Sequence, residues 1–349
     1  MNNRANQNHP GVIMTGMSIS TYPLNKKDGD SRLIGVELEF TSLMLRPATE
    51  IVSDFLNSET IEYIHDNYAK IPSKYGDFRV FVDFERLLKL SREVKNHKKD
   101  DFSSQMQEFA KKVLEDLSEG VVPLEIVTPP IPIEYLKELD KIADVLALNG
   151  AKGTHLSPLY AFGLHFNPDV PDLNTETLLA YVQAFALLEP YLKEKVHPDI
   201  SRSVTQYAAF YPSGYNNLIL NEGYLPEQSQ FIDDYLKYNP TRNRALDMLP
   251  CLSMLEEEKI KYVTKGDTLI KKRPTFHYRL PDCRIGDGNW SIEKEWEIWE
   301  VVELVANNHD LRQKLIQLYK GRSLFTFVTK SYLKAIKKCL LENQISVRS

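Results

Sequence analysis

Four short segments along the chain alternate apolar and polar residues with a period of two. They are Gly35–Phe40 (GVELEF), Pro123–Val127 (PLEIV), Gly163–Asn167 (GLHFN) and Thr275–Leu280 (TFHYRL). In a strand, successive side chains point to opposite faces. One face would therefore carry Val36, Leu38, Phe40, Leu124, Ile126, Leu164, Phe166, Phe276, Tyr278 and Leu280. The other would carry Glu37, Glu39, Glu125, His165, Asn167, His277 and Arg279. Paired into one sheet, the four strands would bury one side under helices and present acids, histidines and an arginine on the other.

A period near 3.6 marks the helices. Glu134–Leu148 is strongly amphipathic and is stopped by Asn149-Gly150. Thr175–Lys195 is apolar at Leu178, Leu179, Val182, Phe185 and Leu188 and bends or ends near Pro190. Ile51, Phe55, Ile61 and Ile64 would line a helix broken near Asn57–Ser58. Asn239-Pro240 reads as a cap and first turn of another helix, and a further one starts near Ser291 with Trp296, Trp299 and Val302 on its core face. Phe78–Phe84 has strand composition after a Gly-Asp turn signal, and Phe102–Leu117 has helical spacing. The stretch Arg92–Asp101 is a charged, solvated helix end or loop. A last helix, 326–342, is basic on one side and apolar on the other, which suits docking on the body of the protein or a partner or membrane surface. Strands and helices interleave without regular βαβ spacing, so the fold class is α+β rather than doubly wound. A polar tail, 1–30, with one extended piece at Gly11–Met17, precedes a main domain, 31–322, and a helical extension, 323–349.

Composition narrows the function. With 42% apolar and 26% charged residues, the 349-residue chain has the makings of a full core. Forty-eight acids against 43 bases leave a net charge of −5, which counts against a protein that grips nucleic acid through phosphates. Three scattered cysteines fit a reducing compartment, and neither a signal-peptide pattern nor a bilayer-length apolar run is present, so a cytoplasmic enzyme without membrane contact is expected.

The candidate chemistry sits on the polar strand face. Glu37 and Glu39, about 5–7 Å apart at strand rise, suit two neighbouring divalent cations or one shared between them, or simply a solvated acidic edge. Glu125 lies in an apolar stretch (VVPLEIVTPP) where a lone carboxylate is costly and needs a partner. Arg279 offers a planar fork to phosphate oxygens. Hard oxygen ligands with one or two histidines suit Mg²⁺ or Mn²⁺, whereas structural zinc lacks both clustered cysteines and an HExxH spacing. Arg242 and Arg244, in the first turns of the helix expected from Asn239, would form an anion site, with Asp247 orienting Arg244. Lys271, Lys272 and Arg273 either steer a nucleotide or end a solvated strand, and the GAKGTHLS loop at Gly150–Ser157 matches no phosphate-loop motif.

IGVELEF, PLEIVTPPIP, GAKGT with YAFGLHFNP, NPTRNRALDMLP and RPTFHYRLPDCRI together resemble the amidoligase family, over residues 32–310. That family is placed with the glutamine synthetase and glutamate–cysteine ligase superfamily. The resemblance implies a glutamine synthetase-like, mostly antiparallel curved sheet with helices on one face and the active site on the other. It implies an ATP-dependent carboxylate–amine ligase that forms an amide through an acyl phosphate, from a small-molecule or peptide carboxylate and an amine, with a γ-glutamyl or peptide-like product. A homo-oligomer is compatible with it. By the same resemblance Glu37, Glu39, Glu125, His165 and His277 would bind metal. Arg279, Arg244 and His277 would be catalytic, and Arg242, Arg244, Arg279 and Asn167 would hold ATP. His277 stands where the superfamily has glutamate, which removes a negative charge. Asp83 is the candidate for an acid on the second strand, with Phe81 in the neighbouring slot. A guanidino-kinase-like phosphotransferase and a degenerate binding protein of the same fold are the alternatives.

Overall fold

The computed structural model describes residues 24–83, 122–154, 162–196, 208–321 and 328–345. The Gly11–Met17 piece, the charged stretch Arg92–Asp101, the Phe102–Leu117 helix, Phe84 and the end of the Gly150–Ser157 loop lie outside these residues.

At the centre is β1 (Leu33–Phe40), paired antiparallel with β5 (Leu124–Val127) on one side and β7 (Leu164–Pro168) on the other. The sheet extends through β4 (Gly76–Val82) and β3 (Tyr68–Ser73) to β2 (Glu62–His65) at one edge. Beyond β7 it continues through β9 (His277–Tyr278) to β8 (Leu246–Asp247), while β6 (Ile131–Pro132) pairs with the start of β1. Among the described residues every pairing between these strands is antiparallel, with one isolated parallel bridge between Ala209 and Arg244, and the architecture is α+β. Val36, Leu38, Phe40, Leu164, Phe166, Phe276 and Tyr278 are fully buried on one face, as the alternation predicts.

Helices cover that face. α1 (Leu45–Leu56) lies over β3 and β4, against α2 (Leu136–Leu148). α3 (Thr175–Leu187) is buried on nearly every side, as expected of a helix that is apolar all round. It packs against α9 (Ile292–Asn307), whose Ser291 cap accepts a hydrogen bond from the Lys294 amide. Asp140 on α2 receives the Ile292 amide at 2.5 Å at the same helix start, and burial raises its carboxyl to about 6. The long helix α11 (Val328–Glu342) docks on the body: Tyr332 donates to the Leu187 carbonyl, and Lys337 pairs with Glu194. Among the described residues no helix is long and apolar enough to cross a membrane, and the three cysteines are buried and form no disulfide.

A buried ion pair ties the sheet to the helices. Arg32, just before β1, forks onto Glu303 of α9 at 2.7 and 3.0 Å, with both side chains almost wholly excluded from solvent. Trp299 and Tyr181 also donate to Glu303, and the Arg32 Nε donates to the Asp169 carbonyl beyond β7. A desolvated pair is tolerated where every remaining donor and lone pair is engaged in this way.

Two expectations need correction, and the expected break near Pro190 is located between them. α1 stops at Asn57 in a left-handed conformation (φ 52°), and Ile61 and Ile64 belong to the next hairpin, whose strand pairing takes them out of any helix. The Thr175–Lys195 helix breaks at Leu188, so that Pro190 falls in the first turn of α4 (Glu189–Val196), where its missing N–H costs nothing. No helix opens at Asn239-Pro240. Asn239 is instead the fully buried C-cap of the preceding helix, α6 (Gln228–Tyr238), and Pro240 prevents its continuation. The chain then runs extended to bond with the last strands: the Arg279 amide donates to the Ala245 carbonyl, and Leu246 pairs with Tyr278. Sheet hydrogen bonds and burial of Leu246 outweigh the local capping signal.

Gly153 illustrates a close approach. Its amide donates to the Ile285 carbonyl, and a Cβ there would lie 2.5 Å from the Cys283 carbonyl oxygen and 2.6 Å from the Ile285 nitrogen. Gly153→Ala must push the two backbones apart, and a loss of about 1–3 kcal/mol is expected in urea denaturation of the variant.

Candidate active site

The polar face of the sheet forms the floor of a cavity of about 320 Å³. Register explains why its residues meet. Glu37 sits directly opposite His165, Glu39 opposite Glu125, and Glu125 in turn opposite Phe81. Asp247 faces His277 across the β8–β9 pair. Four carboxylates line the cavity (Glu37, Glu39, Asp83 and Glu125), together with His165 and His277. Five cationic side chains face them: Arg79, Arg242, Lys271, Arg273 and Arg279. Formal charges of four and five nearly cancel.

Glu37 is the hub. Its Oε2 lies 2.9 Å from His165 Nδ1 and 3.7 Å from His277 Nε2. Its Oε1 accepts from Asn167 Nδ2 at 3.0 Å, and Asn167 Oδ1 accepts from Arg273 Nη2 at 2.7 Å. Burial works against ionisation of Glu37, but the two imidazoles, His277 foremost, outweigh it and hold the carboxyl well below the usual range. Burial also keeps both histidines neutral, lowering His165 and taking His277 to about 3. Glu39 accepts from the Gly163 amide at 2.7 Å and approaches His165 Nε2 at 3.8 Å. Glu37, His165 and His277 each offer one ligand atom, and the three atoms lie within 4.8 Å of one another.

Arg279 is 8% exposed, and its guanidinium donates to the Arg242 carbonyl. Burial, and then the Arg242 charge, lower its proton affinity, while Asp247, Glu37 and Glu39 raise it. Arg242 reaches Asp267 at 3.3 Å. Arg244 is placed elsewhere: its guanidinium donates to the carbonyls of Phe210 and Tyr238, and it does not line the cavity. The expected pairing of Arg244 with Asp247 required helical spacing, and the extended backbone separates their roles. Asn167 likewise stands behind Glu37 rather than in the cavity wall.

Arg79 was not anticipated, although it alternates with Phe81 and Asp83 on one face of β4, the same period-two signal found in the other strands. Of the basic triplet, Lys271 and Arg273 enter the cavity, while Lys272 turns outward to Glu257 at 2.7 Å. Asp247 is 1% exposed, with Oδ1 accepting from the Leu249 amide and Oδ2 4.0 Å from His277 Nδ1. Burial raises its carboxyl from 3.8 to about 7, against the pull of the Leu249 amide and the nearby arginines.

That elevation has a consequence for stability. Between about pH 4 and pH 7 the unfolded chain gives up the Asp247 proton before the folded one does, so rising pH through this window favours unfolding. Asp247→Asn keeps the oxygen for the Leu249 amide and lacks the titration. In chelator-treated buffer the variant is expected to gain stability over the parent as pH rises from 4 to 8, by up to about 4 kcal/mol at 1.4 kcal/mol per pKa unit. Urea unfolding at several pH values reads the difference, and a constant difference would show that this carboxyl is not elevated.

The family model described as "Putative amidoligase enzyme" matches residues 30–301. No curated protein and no solved structure matches the chain. The match spans β1, β5, β7, β8 and β9, the strands that carry the cavity's central residues, and most of α9. The chain therefore belongs to the amidoligase family, whose description points to an enzyme that forms amide bonds.

Proposed function

We propose that this chain is an ATP-dependent carboxylate–amine ligase of glutamine synthetase-like kind, working with Mg²⁺ or Mn²⁺. The observation that carries the reading is the convergence of four carboxylates, two histidines and five cationic side chains on the polar face of an antiparallel sheet, in an amidoligase chain. The guanidinium of Arg279 and the side chains of Arg242, Lys271, Arg273 and Arg79 supply charge for phosphates.

The donor set fits a divalent cation. His277 Nε2 is buried without a hydrogen-bond partner, and it points at the same Glu37 oxygen that His165 touches. Glu37, His165 and His277 would hold the ion, with Glu39, Glu125 and Asp83 along the same wall. When bound, the cation would neutralise charge on the transferring phosphoryl group.

A substrate carboxylate oxygen attacks the γ-phosphorus of ATP, and ADP leaves. The amine then adds to the acyl carbon, loses a proton, and expels inorganic phosphate to leave the amide. Nothing here requires a covalent enzyme intermediate: the chain positions the reactants and supplies preorganised charge.

Incubation with ATP, Mg²⁺ or Mn²⁺ and a metabolite extract, followed by mass spectrometry, is expected to show products equal to two metabolites less one water. ADP release should rise steeply only when carboxylate and amine are both present. ADP formed with a phosphorylated metabolite and no condensed product would instead indicate a phosphotransferase. Arg279→Lys keeps the charge but loses the planar fork, and a fall in ADP release of about 10²-fold is expected. Arg244→Ala, whose partners are backbone carbonyls outside the cavity, should lower thermal stability while changing ADP release per folded molecule by less than about threefold.

A further inference from the structure

We propose that Glu37, His165 and His277 form a two-histidine, one-carboxylate centre that selects a first-row transition cation such as Mn²⁺ or Co²⁺ over Mg²⁺. The inference rests on reading this cavity as metal-dependent and not on which amide the enzyme makes.

The geometry is close to that of a coordination shell. Ligand atoms around an ion with bonds near 2.1 Å are about 3 Å apart when adjacent and about 4 Å when opposite. Here Glu37 Oε2 lies 2.9 Å from His165 Nδ1 and 3.7 Å from His277 Nε2. The contact between His165 and Glu37 is the one an arriving cation would replace. His277 Nε2 has nothing to replace, because it is buried and has no hydrogen-bond partner. Leaving such a nitrogen unsatisfied in the interior is costly, and a cation removes the cost.

The surroundings hold each ligand in place. Both rings lie beside Glu37 on the floor of the cavity. The other nitrogen of His277, Nδ1, faces the Asp247 carboxyl at 4.0 Å. The carboxylate of Glu37 is held from behind through Asn167 and Arg273.

The preference follows from the donor atoms. Mg²⁺ takes oxygen ligands in strict octahedra and gives up its waters reluctantly. Two imidazoles in three positions offer it little, whereas imidazole suits the later first-row cations and Mn²⁺ accepts mixed nitrogen and oxygen sets. A glutamate at 277 would have made the set oxygen-rich and added a negative charge. Histidine there moves the centre toward softer ions while Glu39, whose Oε1 is 3.8 Å from His165 Nε2, keeps a second carboxylate at hand.

The test uses the intact, chelator-stripped protein without nucleotide, so its outcome is independent of product formation. Mn²⁺ titrated by electron paramagnetic resonance is expected to bind and to remain bound under about a 100-fold excess of Mg²⁺. Pulsed measurements on the Mn²⁺ complex should show two imidazole nitrogen couplings. His277→Glu should lose one coupling and shrink the Mn²⁺ preference by about tenfold or more. Equal competition by Mg²⁺, absence of nitrogen couplings in the parent protein, or an unchanged preference in the variant would each overturn the proposal. The coupling measurement needs no substitution, so it decides the matter even where His277→Glu does not fold. A selective centre with no amide product would overturn the ligase reading alone, and an amide product with an unselective centre would overturn this one alone.

Discussion

The two-residue repeat of β1 is the constraint on which the rest of the molecule depends. Val36, Leu38 and Phe40 enter the core, so Glu37 and Glu39 must face away from it. A slip of one residue against β5 or β7 would drive two carboxylates among aromatic and aliphatic side chains and expose their apolar neighbours. The Arg32–Glu303 pair sets the phase at the strand's start, because an arginine already committed to a helix cannot slide without leaving two charges buried and unpaired. Core and cavity are therefore one decision, taken on the two sides of the same strand.

From that decision the electrostatics of the cavity follow. Carboxylates on β1 and β5 and histidines on β7 and β9 share one floor, while arginines and lysines reach it from β4, from the Arg242 segment and from the approach to β9. In a partly desolvated space the neighbours decide ionisation: beside two imidazoles Glu37 is held well below the usual carboxylate range, whereas Asp247, behind His277 and fully buried, holds its proton to about pH 7. The sheet supplies rigid positions, and the loops bring most of the adjustable positive charge.

Much of this was legible before any coordinates. Period-two alternation in four segments placed Glu37, Glu39, Glu125, His165, His277 and Arg279 on one face, and the structure puts all six around one cavity. Helices with strong amphipathic spacing or a good serine cap, such as α2 and α9, fell where the pattern placed them. Local signals failed where two meanings shared one dipeptide. Asn-Pro marks a helix start or the end of the one before it, and only the pairing of Leu246 with Tyr278 chose the second, taking Arg244 to the carbonyls of Phe210 and Tyr238. The same ambiguity hid which of three consecutive basic residues points inward, since that depends on the twist of an irregular segment.

The order of side chains along each strand, and so the membership of the polar face, was determined by the sequence alone, because the alternation of a strand is set by the backbone. Neighbours across strands were decided only by tertiary structure. Antiparallel register places Glu37 against His165 and Asp247 against His277 across 128 and 30 positions of chain. No local rule carries that information, since register is chosen by the fit of the whole core. The proximity of Glu37, His165 and His277, and the unpartnered nitrogen among them, exists only once that core has formed.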